Sequence, residues 1–365
     1  MRASLAVLII VLAAALADAQ VRSAGAEPLV IVRNGLYGYV DHNGAVIITP
    51  QFLWAGDFEN GYGTVYVCGR YALIDKAGRL FPAQTPRGAG ELCPKKVGGK
   101  IGFVNPDGKL KIKPEFDEVL PFSDGLAAAR VNARWGFIDS SGHFAIAPRF
   151  DAAFYFREGV GIAQMGSTTL LIDKAGKELA RGYEVLSGVT SEGRIPVSRS
   201  SKHGYLDLRG AIAIPLAFDG AGTFSEGLAA VQKGTKWGYI DKRGSTVIPF
   251  QFDDAGEFGA GLAPVKVGDA TGFIDHSGAF AFRLAFEYAP GFRVGDQVSD
   301  VSRFWTKSRD FGYVNTSGRV IWGPVPGSPS HTPILGWTTE EKKASCDVVP
   351  ESVRQAAAAL PLGDD

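Results

Sequence analysis

Hydrophobic and polar residues alternate along this chain in short runs, which is the pattern of half-buried β-strands. Runs such as WGYID (237–241) and TVIP (246–249) are rich in β-branched and aromatic residues, and glycine, proline and aspartate bound them. A third kind of run, LAAV (228–231), comes before these two. The pattern predicts an all-β fold with tight turns and little helix.

The runs recur with a nearly constant period. Glycines that close a four-residue turn stand at positions 44, 78, 108, 142, 176, 210, 244, 278 and 318, with spacings of 34, 30, 34, 34, 34, 34, 34 and 40 residues. Such a period predicts nine small tandem units. An Asp or Asn stands three residues before each glycine. Its side-chain oxygen can cap the turn by accepting hydrogen bonds from backbone N–H groups. The predicted turn caps are Asp41, Asp75, Asn105, Asp139, Asp173, Asp207, Asp241, Asp275 and Asn315.

Each unit is predicted to be a three-stranded antiparallel meander in the order LAAV, WGYID and TVIP, followed by a connector. Two columns of phenylalanine lie in the connector, eight and fourteen residues after the turn glycine. We expect these rings, with the tryptophans of two WG motifs, to form the core between neighbouring units. The predicted core residues are Phe52, Phe116, Phe150, Phe218, Phe252, Phe286, Phe58, Phe122, Phe156, Phe224, Phe258, Phe292, Trp135 and Trp237.

Strand number and unit length bear on the arrangement of the units. Blades of β-propellers usually have four strands in about 40–45 residues, and there are usually four to eight of them. Nine units of about 34 residues with three strands each therefore favour a curved, solenoid-like array. The alternative is a closed, propeller-like ring.

The two ends of the chain differ from the repeats. Arg2, an apolar run and the sequence ADA (17–19) predict a signal peptide over residues 1–19, and the run is shorter than the roughly 20 residues of a membrane span. We expect cleavage after Ala19 and export to the periplasm or medium, with no membrane span left. A short segment is predicted over 20–28, the repeat array over 29–325, and a proline-rich, partly disordered tail over 326–365, with a short helix over 351–360.

Charge bears on the choice of partner, and the cysteine positions bear on a disulfide. Lys plus Arg equals Asp plus Glu, 38 each, so no net charge favours a nucleic-acid partner. Cys68 and Cys93 flank the unit around Gly78, whose spacing is four residues short, and export permits disulfides. We predict a Cys68–Cys93 disulfide that closes about 25 residues and contributes on the order of 3 kcal/mol.

Candidate chemistry is limited to carboxylates that recur once per unit. One row follows the first phenylalanine column, and another precedes the glycine that ends each connector. Such rows suit a cation site or a glycosidase pair, or they cap connector turns; their presence in unit after unit favours capping. The fifth unit departs from the pattern, with Gly182 and Glu184 in place of Pro and Phe, and we expect a looser or bent region over 170–199. The two rows are Asp117, Asp151, Asp219, Asp253 and Glu287, and Glu158, Glu192 and Glu226.

The segments RWGFIDSSG (134–142) and KWGYIDKRG (236–244), with the P-x-F-D and F-x-x-G-L-A elements after them, resemble the WG (KWG) repeat. The resemblance covers roughly residues 29–325. It implies a β-repeat array of a kind found largely in bacteria, often exported and mostly without an assigned activity.

These observations favour an exported, non-enzymatic repeat scaffold for protein–protein interaction in the cell envelope, because repeat arrays offer broad surfaces. The first alternative is a module that binds glycan or peptidoglycan through exposed aromatic residues, and a hydrolase is least favoured. No motif for a nucleotide, a metal or an activated nucleophile is present, so no cofactor, metal ligand or catalytic residue is predicted.

Overall fold

The computed structural model describes residues 27–59, 61–68, 70–82, 92–105, 109–186, 191–284, 287–294, 297–325 and 348–360. Short antiparallel strands form nine small sheets, the blades, which stand in a ring as a nine-bladed propeller. The all-β prediction is confirmed, and the closed alternative is correct in place of the open, solenoid-like array. The predicted signal peptide, 1–19, lies outside the described residues.

Three strands recur in every blade and are called here the alanine, WG and proline strands. The alanine strands are Leu29–Arg33 (β1), Tyr62–Val67 (β5), Cys93–Val97 (β8), Ala127–Val131 (β12), Val160–Met165 (β16), Ile195–Arg199 (β20), Leu228–Lys233 (β24), Ala263–Val267 (β28) and Val301–Trp305 (β33). The WG strands are Leu36–Val40 (β2), Arg70–Asp75 (β6), Lys100–Val104 (β9), Arg134–Ile138 (β13), Thr168–Asp173 (β17), Lys202–Leu206 (β21), Lys236–Asp241 (β25), Ala270–Ile274 (β29) and Phe311–Asn315 (β34). The proline strands are Val46–Phe52 (β3), Leu80–Pro82 (β7), Leu110–Phe116 (β10), Phe144–Phe150 (β14), Glu178–Arg181 (β18), Ile212–Phe218 (β22), Thr246–Phe252 (β26), Phe280–Leu284 (β30) and Val320–Val325 (β35).

The connector adds a fourth strand to six of the sheets as described, so the prediction of a purely three-stranded unit is incomplete. This connector strand pairs with the alanine strand that follows it, which places it at the edge of the next blade. A two-stranded ribbon, Arg293–Val294 (β31) with Gln297–Val298 (β32), precedes the ninth blade. The connector strands are Trp54–Glu59 (β4), Glu118–Val119 (β11), Ala152–Arg157 (β15), Glu184–Val185 (β19), Gly220–Ala221 (β23) and Asp254–Ala255 (β27).

In six blades the glycine of the WG motif is needed because the proline strand bulges towards it, whereas Gly272 of the eighth blade pairs directly with Arg283. In the fourth blade Trp135 pairs with Phe150 and Phe137 with Ile146, so the bulge lies opposite Gly136. A Cβ on Gly136 would lie 2.5 Å from the Ile146 carbonyl oxygen. A Cβ would likewise lie 2.3–2.7 Å from a backbone oxygen of the proline strand at Gly38, Gly102, Gly204, Gly238 and Gly312.

Two blades dispense with this glycine, and both have a short proline strand. Ala72 pairs directly with Pro82, and Leu170 pairs directly with Arg181. Because β7 and β18 make no bulge opposite these positions, a side chain has room there. The replacements at Ala72 and Leu170 therefore follow from strand geometry.

Aromatic rings fill the seams between consecutive blades. At the seam of the fourth and fifth blades, Phe150 and Phe156 pack with Phe137 on one side and with Ala163 and Leu170 on the other. Of the predicted core rings, nine are buried, namely Phe52, Phe58, Phe116, Phe150, Phe156, Phe224, Phe252, Phe258 and Phe292. Phe122, Phe218, Trp135 and Trp237 are half-buried against the same clusters, and Phe286 lies outside the described residues.

The seam between the fifth and sixth blades is different. Within the described residues its buried members are all aliphatic: Val160, Leu171, Ile195, Val197 and Leu206. Glu184 occupies the position of the first phenylalanine column and is exposed, with its Oε2 2.9 Å from the Ser198 hydroxyl, which donates to it. This seam therefore lacks the fully buried phenylalanine found, for example, between the first and second, the fourth and fifth, and the seventh and eighth blades.

Contacts between the first and last blades close the propeller. Ile31 and Val40 of the first blade pack with Phe311 and Tyr313 of the ninth. The Tyr313 hydroxyl donates to the Val30 carbonyl oxygen at 3.0 Å. Burial raises the pKa of Tyr313 to about 12, so the hydroxyl stays protonated as this donor.

Two ion pairs accompany this closure. The largely buried Arg303 guanidinium donates to Asp57 Oδ1 at 2.6 Å and to the Tyr313 hydroxyl at 3.0 Å. His42 Nδ1 contacts the Asp300 carboxylate, and its Nε2 lies 2.9 Å from the Glu27 carbonyl oxygen. First, second and ninth units are thus joined by polar as well as apolar contacts.

A helix, Glu351–Ala358 (α1), lies near the C-terminal end, close to the predicted range 351–360. Val349 and Ala357 are buried against the core cluster of the first two blades, and Cys68 packs against the same cluster. No helix among the described residues has the length and apolar character needed to cross a membrane. The tail over 326–347 falls outside the described residues.

The predicted Cys68–Cys93 disulfide is wrong, because Cys93 is a free thiol. Cys93 begins β8, opposite Val104, whereas Cys68 follows β5 in the turn that leads to β6. Cys68 has the place in its unit that residue 98 has in the next, five residues beyond Cys93. Five residues of strand span about 16 Å, far beyond the roughly 7 Å that a disulfide bridges between Cα atoms. Cys346 lies outside the described residues.

We predict that Gly136→Ala lowers the free energy of unfolding by about 2–3 kcal/mol, because the new methyl group displaces the Ile146 carbonyl and β14. Gly222→Ala is the control, since the nearest atom to its Cβ would be 3.5 Å away. The control should change stability by no more than about 1 kcal/mol. Urea titration followed by tryptophan fluorescence measures both, and equal midpoints for the two variants would contradict the bulge explanation.

The His42–Asp300 pair predicts a pH dependence of stability. Burial lowers the pKa of His42, but the hydrogen bond and charge of Asp300 raise it more, and the same contact lowers the pKa of Asp300. The stabilisation that comes from protonated His42 is complete below about pH 6.5 and is lost as the pH rises through the folded-state pKa of His42. The aspartate contribution is present above about pH 4 and is lost as the pH falls through its lowered pKa.

We therefore expect His42→Gln to destabilise the propeller near pH 5.5 and to have little effect near pH 8.5. Because Asp300 is 58% exposed, screening by solvent limits the effect to about 0.5–1 kcal/mol. Lys307→Gln, which removes a highly exposed pair with Asp269, is the control and should be neutral at both pH values. Thermal unfolding at the two pH values tests this, and a loss that is independent of pH would refute it.

Candidate functional site

The Asp or Asn that opens each turn accepts hydrogen bonds from its own turn. Asp241 Oδ1, for example, accepts from the backbone N–H groups of Arg243 and Ser245 at 2.9 and 2.8 Å. These backbone donors lower the pKa of the Asp241 carboxyl. A side-chain oxygen accepts in the same way at Asp41, Asp75, Asn105, Asp139, Asp173, Asp207, Asp275 and Asn315.

The carboxylates of the P-x-F-D element connect two blades. Asp219 accepts a hydrogen bond at 2.6 Å from Nζ of Lys202, which begins the WG strand of the same unit. It accepts a second one at 2.7 Å from the backbone N–H group of Gly234, which lies in the hairpin of the next unit. The lysine contact and this backbone donor lower the pKa of Asp219. The equivalent bridges are made by Asp117 with Lys100 and Asn132, Asp151 with Arg134 and Gly166, and Asp253 with Lys236 and Gly268.

Two other units lack both members of this ion pair, whereas in the eighth unit Glu287 follows Ala270 by seventeen residues and so has no equivalent lysine. Leu36 and Leu53 hold the two positions in the first unit, and Thr168 and Val185 hold them in the fifth. A catalytic or cation-binding carboxylate has no need of a lysine seventeen residues earlier, whereas a bridge between blades needs both partners. The pattern supports the capping interpretation of this row.

The second row of carboxylates also links neighbouring blades. Glu192 accepts from the Gly227 N–H group at 3.1 Å and pairs with Lys242 at 3.0 Å. Asp124, Glu158 and Glu226 accept from the equivalent N–H groups of Gly159, Gly193 and Gly261. Beside this row, the hydroxyls of Ser123, Ser191 and Ser225 donate to the carbonyl oxygens of Phe156, Phe224 and Phe258 in the next unit.

Four of these carboxylates have a lowered pKa. Hydrogen bonds and nearby cations lower the pKa of Asp117, Asp124, Asp219 and Asp253, whereas a glycosidase acid needs a raised pKa. Over the described ranges, no cluster of three or more His, Cys, Asp or Glu side chains is arranged to hold a metal ion.

A groove of about 550 Å³ lies in the sixth blade, beside the seam that has no buried ring. Ile212, Pro215 and Leu216 of β22 form its apolar wall, and Tyr183, Arg199 and Lys202 form its polar wall. The Arg199 guanidinium lies over the Tyr183 ring at 3.7 Å and donates to the carbonyl oxygens of Arg181 and Gly182 at 2.8 and 3.1 Å.

The groove arises where the fifth unit departs from the repeat. Here the usual proline and phenylalanine of the connector are replaced by Gly182 and Glu184, with Tyr183 between them. The strand β18 ends just before Gly182, and β19 begins at Glu184. The sequence thus identified the irregular unit, but it did not indicate Arg199, Lys202 or Ile212, which belong to the next blade. The signal that could have found them is the pairing of an exposed apolar residue, Ile212 (57% exposed), with two cations at one seam.

The chain matches the WG containing repeat over residues 37–71, 101–135, 135–168, 204–237 and 237–269. The matched segments begin at the aromatic or glycine position of the WG motif. No curated protein sequence matches the chain.

Several solved structures are similar in fold. A eukaryotic initiation factor is 11% identical, with a TM-score of 0.51 over 80% of this chain and 94% of that one. The computationally designed protein Ika8 (10% identity, TM-score 0.37, 73% and 96% covered) and BamB from Moraxella catarrhalis (11%, 0.35, 62% and 86%) are also similar. At 11% identity the likeness to the initiation factor concerns the fold alone.

The five repeat matches, together with the WG glycine beneath the bulged strands and the recurring lysine–aspartate bridge, support assignment of the chain to the WG-repeat family, and its nine blades close into a propeller.

Proposed function

We propose that this protein is an exported, non-enzymatic scaffold that binds other proteins in the cell envelope. The observation that carries the proposal is the use of the periodic polar side chains within the propeller itself. Turn caps, lysine–aspartate bridges and the glutamate row all bind backbone or side-chain groups of the same chain. The repeats therefore build a rigid surface, and repeat proteins commonly use such surfaces to bind partners.

Export is supported by the apolar N-terminal run and the ADA sequence at 17–19. The absence of a net charge does not favour nucleic acid as a partner. These features support export of the proposed scaffold to the periplasm or the medium.

The second candidate is a glycan- or peptidoglycan-binding module. The exposed neighbouring rings of Phe154 and Tyr155, 41% and 48% exposed, favour it, because sugars stack on exposed aromatic faces. Among the described residues, the rings of the two phenylalanine columns are buried or half-buried, so these columns offer no continuous aromatic surface. Protein binding is therefore preferred.

We predict that affinity capture from the native envelope, after cross-linking in intact cells, recovers specific envelope proteins in near-stoichiometric amounts. The control is the same chain without residues 1–19, which should recover none of them because it does not reach the envelope. Isothermal titration with muropeptides should show no binding. Recovery of nothing above background, with muropeptide binding, would instead support the glycan-binding module.

We also predict that the mature protein begins at Gln20. Mass spectrometry of the N-terminal peptide from the envelope fraction tests this. Ala19→Arg should block cleavage and leave the uncut chain at the membrane, because signal peptidases require a small residue there. An envelope protein that retains Met1 would refute cleavage, and a wild-type chain found only in the cytoplasm would refute export.

A further inference from the structure

We propose that the groove of the sixth blade binds a peptide segment of a partner protein that carries a carboxylate beside an apolar side chain. The proposal rests on the protein-binding function proposed above and assigns it a site. The groove has the volume range of sites that hold a few residues or a small ligand.

The polar wall of the groove supplies the charge for a carboxylate. Arg199 is exposed, and its guanidinium has five N–H donors, of which neutral carbonyl groups accept two. No carboxylate among the described residues forms an ion pair with it, so its positive charge is uncompensated. Lys202 pairs with Asp219, which leaves the groove with a net positive charge. A carboxylate can bind an arginine through two parallel hydrogen bonds.

The opposite wall supplies apolar contact. Ile212 is 57% exposed, and Pro215 and Leu216 continue the same surface along β22. Tyr183 is already held flat by the stacked guanidinium, so it loses little conformational freedom on binding. A ligand that carries only a charge would leave this wall in water, whereas a mixed acidic and apolar segment covers both walls.

The neighbouring blade shows that the combination is particular to this seam. In the seventh blade Lys233 and Lys236 hold the positions of Arg199 and Lys202, but Ala217 replaces Tyr183 and Thr246 replaces Ile212. There the first-column position is filled by Phe218, which packs into the seam. Pro249 and Phe250 hold the positions of Pro215 and Leu216, so the seventh blade has the cations and part of the apolar wall but lacks the ring of Tyr183 and the side chain of Ile212, and it serves as an internal control.

Fluorescence anisotropy with labelled peptides of about eight residues tests the proposal. The probe alternates Glu with Leu, and two counterparts alternate Lys with Leu and Glu with Ser. The wild-type chain should bind the Glu–Leu peptide at least about tenfold more tightly than either counterpart, and salt should weaken this binding. Equal affinity for the three peptides, or no binding of any, would overturn the proposal.

Substitutions then locate the binding. The double variant Arg199→Glu with Lys202→Met should lose about tenfold in affinity, and Lys233→Glu with Lys236→Met in the seventh blade should lose less than about twofold. Ile212→Asp, which leaves every described hydrogen bond of the groove intact, should lose as much as the first double variant. Equal losses in the two blades would overturn the groove as the site. If envelope partners are still captured by a groove variant that folds, the scaffold function stands and the groove proposal fails.

Discussion

Apolar packing at the seams between consecutive blades, most often around a buried aromatic ring, is the interaction on which this propeller depends. A sheet of three or four short strands has too little apolar surface to be stable alone, and it becomes stable when another sheet covers its face. Phe150 and Phe156 provide this cover between the fourth and fifth blades, and equivalent rings do so elsewhere. The tyrosines of the WG strand add a polar contact, since Tyr39, Tyr205 and Tyr239 donate to carbonyl oxygens of the following unit. Polar bridges such as Asp219 with Lys202 and Gly234 then fix the orientation of blades that the rings already hold together.

The parts of this architecture that the sequence predicted are those with local causes. A turn cap such as Asp241 needs only backbone groups two and four residues away, so its role follows from spacing. Closure of the propeller depends on the angle between whole sheets, which no single unit specifies, and strand count favoured the open array instead. The disulfide prediction failed for a related reason: Cys68 and Cys93 were assigned to adjoining elements without regard to which end of the strand each occupies.

The residues of the candidate site also fall into two groups, those that the sequence pattern indicates and those that it does not. Gly182 and Glu184 were visible as departures from the repeat, and they account for the seam without a buried ring. Three residues of the groove, Arg199, Lys202 and Ile212, do not depart from the repeat pattern, so the pattern does not distinguish them from equivalent residues of other units. They form one surface only because the fifth and sixth units meet there, and that contact lies between units. A binding site in a repeat protein can thus consist of residues from two adjacent units. Such residues meet at the seam between two blades, although they are far apart in the sequence.

Each described blade draws its alanine, WG and proline strands from one stretch of the chain, and the first and ninth blades meet through packed side chains, a hydroxyl–carbonyl bond and a close backbone approach at Gly44 and Ile321. Among the described residues, no sheet combines strands from the two ends of the chain. A whole repeat could therefore be duplicated or deleted in the gene without breaking the strand pairing of any blade. The change would be absorbed as a slightly different wedge angle at every interface, so the circumference of such a molecule is adjustable in steps of one repeat.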